Sequence, residues 1–143
     1  MPSNFNRATV AVNAEANAVC ALLDGGWLCI FGGVQPPDAN ARIKASEPCL
    51  VEILLPAPAF QDAQHGRAVA HLIEAAISEV TAHRATWFRA YMSDRNTPVF
   101  DGSVGLVKLR KPNDVSADLM LDDVLIGGGV QVRIVKLIYQ AAK

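Results

Sequence analysis

The stretch Gly25-Gly26-Trp27-Leu28-Cys29-Ile30-Phe31-Gly32-Gly33 decides how the rest of this chain reads. A run of apolar residues with an aromatic at each end stands between two pairs of glycines. It is too short for an ordinary helix and is bounded by residues that interrupt regular structure, so it reads as a buried strand. Immediately before it the texture differs. Val12, Ala16, Val19, Cys20 and Leu23 recur at spacings of three and four, and alanine is abundant. The chain therefore starts with a helix over 8–24, which Gly25-Gly26 ends as glycine commonly does at a helix C-terminus. Residues 1–7, Met1-Pro2-Ser3-Asn4-Phe5-Asn6-Arg7, read as a flexible arm in which Phe5 is an apolar anchor without a local partner.

Downstream, Gln35-Pro36-Pro37-Asp38-Ala39-Asn40 is a loop by its prolines and turn formers. Residues 49–55 form the next strand, closed by Pro56-Ala57-Pro58, because proline cannot donate to a sheet ladder. The segment 66–84 carries two patterns at once. Val69, Leu72, Ile73, Ala76, Ile77 and Val80 fit a helical stripe, whereas Val69, His71 and Ile73 alternate as in a strand. From Thr86 onward the signals are β. Thr86-Trp87-Phe88-Arg89-Ala90-Tyr91 has high strand propensity, Ser93-Asp94-Arg95-Asn96 is a turn, and Pro98-Val99-Phe100-Asp101-Gly102 returns from it as a hairpin. Residues 104–109 extend the second arm, and Lys111-Pro112-Asn113-Asp114 is a turn. Residues 117–121 are a short strand and Gly127-Gly128-Gly129 a flexible break. Over 130–139, Val130, Val132 and Ile134 alternate with Gln131 and Arg133, as in a half-buried strand. The sum is a mainly β fold: an antiparallel β-sandwich or barrel of about six to seven strands with one N-terminal α-helix.

Composition sets the limits of function. A chain of 143 residues is the size of one domain, here a single β-rich body over 8–143 behind the arm. With 51% hydrophobic and 19% charged residues it can bury a core, unlike a disordered chain. Thirteen Lys and Arg against 14 Asp and Glu leave a net charge of −1, without the basic excess of a phosphate-neutralising protein, so nucleic acid is not the expected partner. Near-zero charge also lacks the self-repulsion that keeps chains apart, which suits an assembling subunit. The polar start is unlike a secretory segment, and no run reaches the roughly 18–20 apolar residues that span a bilayer, so no membrane is expected. Cys20, Cys29 and Cys49 are an odd number and form no C-x-x-C. They read as buried free thiols of a protein made in a reducing cytoplasm, with a metal site or a disulfide as the alternative.

No constellation of catalytic residues stands out. Asp101-Gly102-Ser103-Val104-Gly105 lacks the first glycine of a nucleophile elbow and lies between strands, so Ser103 reads as part of a turn or bulge. His71 and His83 would stand about 120° apart around a helix and share no face, and with His65 they match no zinc spacing. Asp118, Asp122 and Asp123 form an acidic cluster without the glycine and closing glutamate of a calcium loop. The three glycines 127–129 precede a strand, not the helix that a phosphate cradle needs. Trp87, Arg89 and Tyr91 alternate onto one face, with Phe88 and Ala90 on the other. They could stack on single-stranded nucleic acid, yet in a two-layer β fold one face must be core. The chain is accordingly expected to have no catalytic residue, no cofactor and no metal, and to be a structural protein. A small metal-binding protein or enzyme using His71, His83 or Asp118 to Asp123 is the alternative of another class.

The block Gly25-Gly26-Trp27-Leu28-Cys29-Ile30-Phe31-Gly32-Gly33-Val34-Gln35-Pro36 resembles one in a group of small tailed-bacteriophage structural proteins. These open with an alanine-rich helix followed by Gly-Gly-x-Leu-x-Ile-Tyr-x-Gly-x-x-Pro, where this chain has Phe31 for the tyrosine. The resemblance continues at Ala85-Thr86-Trp87-Phe88-Arg89-Ala90-Tyr91 and at Asp101-Gly102-Ser103-Val104-Gly105, in the same order and spacing. It implies a virion component made in the host bacterial cytoplasm: a capsid decoration or cement subunit, or alternatively a tail or baseplate component. It also implies a strand at 68–74, which with a helical turn at 75–82 becomes the expectation for the two-pattern segment. An assembling subunit needs a rigid body and loose segments that order on a neighbour. The candidate interface is therefore Asn4, Phe5 and Arg7 of the arm with Gln35, Pro36 and Pro37 of the loop at 33–46. The expected partners are the major capsid protein or other virion proteins, and further copies of the chain in a two- or three-fold homo-oligomer.

Overall fold

The structure, a computed structural model, describes residues 6–44, 46–78, 80, 82–106, 117–129 and 131–141. One helix, α1 (Thr9–Ala21), precedes the strands β1 (Trp27–Phe31), β2 (Val51–Leu54), β3 (Arg67–Val69), β4 (Ala76–Ile77), β5 (His83–Arg84) and β6 (Trp87–Tyr91). They are followed by β7 (Pro98–Leu106), β8 (Leu119–Leu121), β9 (Leu125–Ile126), β10 (Gln131–Val132) and β11 (Ile134–Gln140). The fold is mainly β with an N-terminal helix, built on a curled seven-stranded sheet in the order β2-β1-β6-β7-β8-β11-β3. Two small two-stranded sheets, β10-β4 and β5-β9, accompany it. Pairing is antiparallel except between β7 and β8, which run parallel with Val104 opposite Leu119.

β1 explains why its sequence is apolar at every position. It pairs with β2 on one side and β6 on the other, and both of its faces are covered. Leu28 and Ile30 enter the main core with Ile53, Phe88, Leu119 and Leu137. Cys29 and Phe31 enter a second, smaller cluster with Trp87 on the opposite face. A strand buried on one face alternates, and one buried on both reads as a continuous run. β2 is the alternating case: Val51 and Ile53 are buried while Glu52 and Leu54 are exposed.

α1 packs on β3 and β11. Ala16 and Cys20 are buried, and the small residues let the helix approach closely. Its polar residues hold the chain beside it. Asn13 Oδ1 accepts from the Gly66 amide at 2.7 Å, Asn17 Oδ1 from Ala63 at 2.8 Å, and Asp24 Oδ1 from Ala59 at 2.8 Å. The helix ends at Ala21, three residues short of the expected 24. Leu22 and Leu23 continue as hydrogen-bonded turn, and Leu23 is fully buried.

The segment 66–84 departs from expectation. A strand is present but short, Arg67–Val69; within the helical turn expected at 75–82, Ala76–Ile77 form β4, paired with β10, while residues 79 and 81 lie outside the described residues, and β5, paired with β9, follows. Leu72 and Ile77, needed on the buried side of a helical stripe, are 89% and 61% exposed. What buries this stretch is Ile73 together with Ser78, whose hydroxyl donates to the Leu50 carbonyl at 2.6 Å. Cross-strand partners from distant sequence thus override local periodicity. The expected strand at 130–139 is divided at Arg133, and a register shift between Ile134 and Lys136 rephases the alternation so that Leu137 and Ile138 are both buried. The strand expected at 117–121 is confined to Leu119–Leu121. The turn at 111–114 and the extension over 107–109 lie outside the described residues.

Two features are directly testable. A Cβ at Gly26 would stand 2.3 Å from the Tyr91 carbonyl oxygen and 2.9 Å from that of Leu23, both backbone atoms. Gly26→Ala is expected to lose about 3 kcal/mol in urea unfolding. Gly128→Ala, at φ +67 in open space, should lose only about 1 kcal/mol. In the β6–β7 turn, Asp94 accepts from the Asn96 and Thr97 amides and from the Thr97 hydroxyl, which holds its carboxyl below the usual value of 3.8. A depressed carboxylate stabilises the folded turn above its unfolded pKa and ceases to do so as pH falls through the folded value. The Asn96 and Thr97 amide resonances should therefore titrate together with a midpoint below 3.8. A midpoint at or above it contradicts the turn geometry.

Candidate functional site

The loop over 32–49 lies across the face of β1 and β6 that points away from the main core. Trp87 lies beneath it, fully buried and stacked on Phe31 with ring centroids 4.5 Å apart, and Ile43, Cys49 and Tyr91 pack around them. The alternation read from the sequence, with Trp87, Arg89 and Tyr91 on one face and Phe88 and Ala90 on the other, is the one observed. That face is not an open stacking platform, because the loop covers it. The loop's first residues are held from β6 and the residue before it. The Trp87 indole Nε1 donates to the Gly32 carbonyl at 3.1 Å, and the Thr86 hydroxyl to Gly33 at 2.6 Å.

The middle of the loop is held by Arg89, only 3% exposed. Its guanidinium makes a bidentate pair with Asp101, Nε to Oδ1 at 2.6 Å and Nη2 to Oδ2 at 2.9 Å. The same group donates to the Ala41 carbonyl at 2.6 Å and the Asp38 carbonyl at 3.3 Å, and lies over the Trp87 ring at 5.6 Å. Hydrogen bonding to Asp101 raises the Arg89 pKa further above its ordinary value, so the charge is permanent. Burial raises the Tyr91 phenol, which stays neutral beside it. The sheet register places Arg89 directly opposite Asp101. Sequence reasoning found both residues and the hairpin that joins them but missed the pair; counting back from the turn would have set Arg89 opposite Phe100, and a register shift between Ala90 and Tyr91 moves it to Asp101.

Above this clamp the expected interface loop is displayed. Gln35 and Pro37 are exposed, Pro36 is half-buried, and Val34 is 81% exposed. An Asx turn in which Asp38 Oδ1 accepts from the Asn40 amide at 2.8 Å follows the prolines. The loop expected to wait for a neighbour is thus ordered on its own domain. Of the expected arm, Asn4 and Phe5 lie outside the described residues, whereas Arg7 pairs with Glu15 of α1. The structure therefore ties Arg7 to the helix on β3 and β11, and carries Gln35, Pro36 and Pro37 over β1 and β6.

The other candidates disperse. Ser103 and Asp118 bind each other: the Asp118 carboxylate accepts from the Ser103 amide at 3.0 Å and hydroxyl at 3.2 Å. Asp123 accepts from the Leu125 amide at 3.0 Å. His65 sits in the turn between Gln64 and Arg67, His71 follows β3 and His83 lies in β5. Among the described residues no three His, Cys, Asp or Glu side chains gather to hold a metal ion, and no helix is long and apolar enough to cross a membrane. Gly127, Gly128 and Gly129 all have positive φ in the turn before β10. An open groove of about 530 Å³, lined by Gln61, Asp62, Gln64, His65, Arg67, Val69 and Gln140, was not foreseen. Cys20 lies in the main core, but Cys29 and Cys49 meet in the cluster under the loop, a proximity their sequence spacing did not announce.

No protein-family model, curated protein or solved structure matches this chain.

Removing one partner of a buried ion pair strands the other charge. Arg89→Met is expected to lose about 3–5 kcal/mol in urea unfolding. The double variant Arg89→Met/Asp101→Leu should recover most of that loss, because no charge remains buried. Equal, additive losses would mean that the pair is not coupled.

Proposed function

We propose that this chain is a non-enzymatic structural subunit of a tailed-bacteriophage virion, and within it a decoration or cement protein of the head. The observation that carries the reading is the loop held in place by Arg89. A contact segment ordered before it meets its partner loses little conformational freedom on binding. Here such a segment exposes Val34, Gln35 and Pro37 above a β face filled by Trp87 and Phe31. The three sequence blocks that resemble phage structural proteins coincide with the parts of this device: β1 and the start of the loop, β6 with Arg89, and β7 with Asp101. The exposed aliphatic side chains Leu72, Ile77 and Leu125 add apolar contact points elsewhere.

On this reading the partners are the major capsid protein and further copies of the chain around a two- or three-fold axis, and the final location is the virion after synthesis in the bacterial cytoplasm. The sheet edges suit this by resisting indiscriminate pairing. β3 is flanked by Gln61, whose amide donates to the Val69 carbonyl at 2.8 Å, and β2 is packed against β4.

Quantitative mass spectrometry of separated heads and tails, from particles made by the encoding genome, tests the proposal. The chain is expected on heads in many copies. Recovery on tails alone would favour the tail or baseplate alternative, and absence from both contradicts a virion role. Val34→Asp should weaken binding to undecorated heads at least about tenfold, with unfolding free energy unchanged because Val34 is exposed.

A further inference from the structure

We propose that Cys29 and Cys49 are a redox-responsive dithiol that closes into an intramolecular disulfide, tying the far end of the 32–49 loop covalently to β1. The inference does not depend on what the loop binds. The antiparallel register of β1 and β2 sets Cys29 opposite Glu52, and the chain enters the ladder at Leu50, whose amide donates to the Ile30 carbonyl at 2.7 Å. Cys49 is packed against the cluster that contains Cys29, its thiol donating to the Val51 carbonyl at 3.1 Å, and the two thiols are close enough to perturb each other's titration. A disulfide of about 2.05 Å requires this kind of juxtaposition, with Cα atoms within about 7 Å of each other.

The two thiols are not equivalent. Cys49 is half-buried and Cys29 buried. Interaction between the two thiols lowers the Cys49 pKa and raises that of Cys29, which burial raises further. Cys49 is thus the attacking thiol and Cys29 the resolving one. With a small-molecule disulfide such as oxidised glutathione, the Cys49 thiolate attacks one sulfur, forms a mixed disulfide and expels one glutathione thiolate. Cys29, giving up its proton, then attacks the Cys49 sulfur and expels the second. The protein loses two hydrogens as two electrons pass to glutathione disulfide, and two molecules of reduced glutathione leave with the protons. Cys20 is an internal control: buried in the main core, its thiol is pushed up to about 12.

The test treats the reduced full-length chain with glutathione disulfide under native conditions, then alkylates it unfolded and maps it by mass spectrometry. The expected product is a monomer lighter by two hydrogens, with the Cys29 and Cys49 peptides joined and Cys20 alkylated. Its thermal midpoint should rise by roughly 6–12 °C, as for a loop of about 20 residues in a domain of this size. Cys29→Ser should stop at a mixed disulfide on Cys49, and Cys49→Ser should take up glutathione far more slowly. A bridge that includes Cys20, a bridge between two chains, or persistence of both thiols in excess oxidised glutathione overturns the proposal. The mapping on the unsubstituted chain decides the question even where a variant does not fold.

Discussion

A guanidinium withdrawn from water must be met by oxygen atoms on its own protein. Arg89 finds them in two parts of the chain that are remote in sequence: the Asp101 carboxylate across the β6–β7 hairpin, and the Asp38 and Ala41 carbonyls of the loop. One side chain therefore satisfies the carboxylate beneath it and fixes the backbone above it. The indole of Trp87 supports the guanidinium on its face and holds the loop's entry through Gly32. Without these contacts the second face of β1 would be apolar surface open to water. With them it becomes a small core, which is why β1 carries no polar residue.

This arrangement accounts for what was legible in the sequence. The run Trp27 to Phe31 announced a buried strand, and the structure gives it the same bounds. The β6–β7 hairpin was legible for the same reason: local propensity, turn chemistry and tertiary pairing agree there. The helix was legible from its apolar spacing, but not the use of Asn13, Asn17 and Asp24 as acceptors for the segment 59–66, because nothing in a helical pattern tells which polar side chains are exposed and which receive a distant amide. The buried pair was half-legible. Its residues were visible, and its burial was not, since a charged residue in a strand ordinarily faces solvent.

The segment 66–84 was misread where local and distant forces disagree. Its apolar spacing suits a helix, yet Ala76 and Ile77 pair with Val132 and Gln131, and His83 and Arg84 with Ile126 and Leu125. Those partners lie more than forty residues away, beyond any window of periodicity. The meeting of Cys29 and Cys49 was invisible for a related reason: the spacing of two cysteines carries no register, and it is the entry of the chain into β2 at Leu50 that brings them into one cluster. The loop that seemed suited to order on a neighbour is already ordered, which turns an expected flexible tether into a preformed surface.

That last point is the centre of the account, and backbone relaxation by NMR addresses it most directly. If Arg89 and Trp87 hold the loop as described, amide order parameters for the non-proline residues 34–44 should approach the value of about 0.85 found in rigid backbone. Values below about 0.6 across that stretch, alongside rigid β1 and β6, would contradict it.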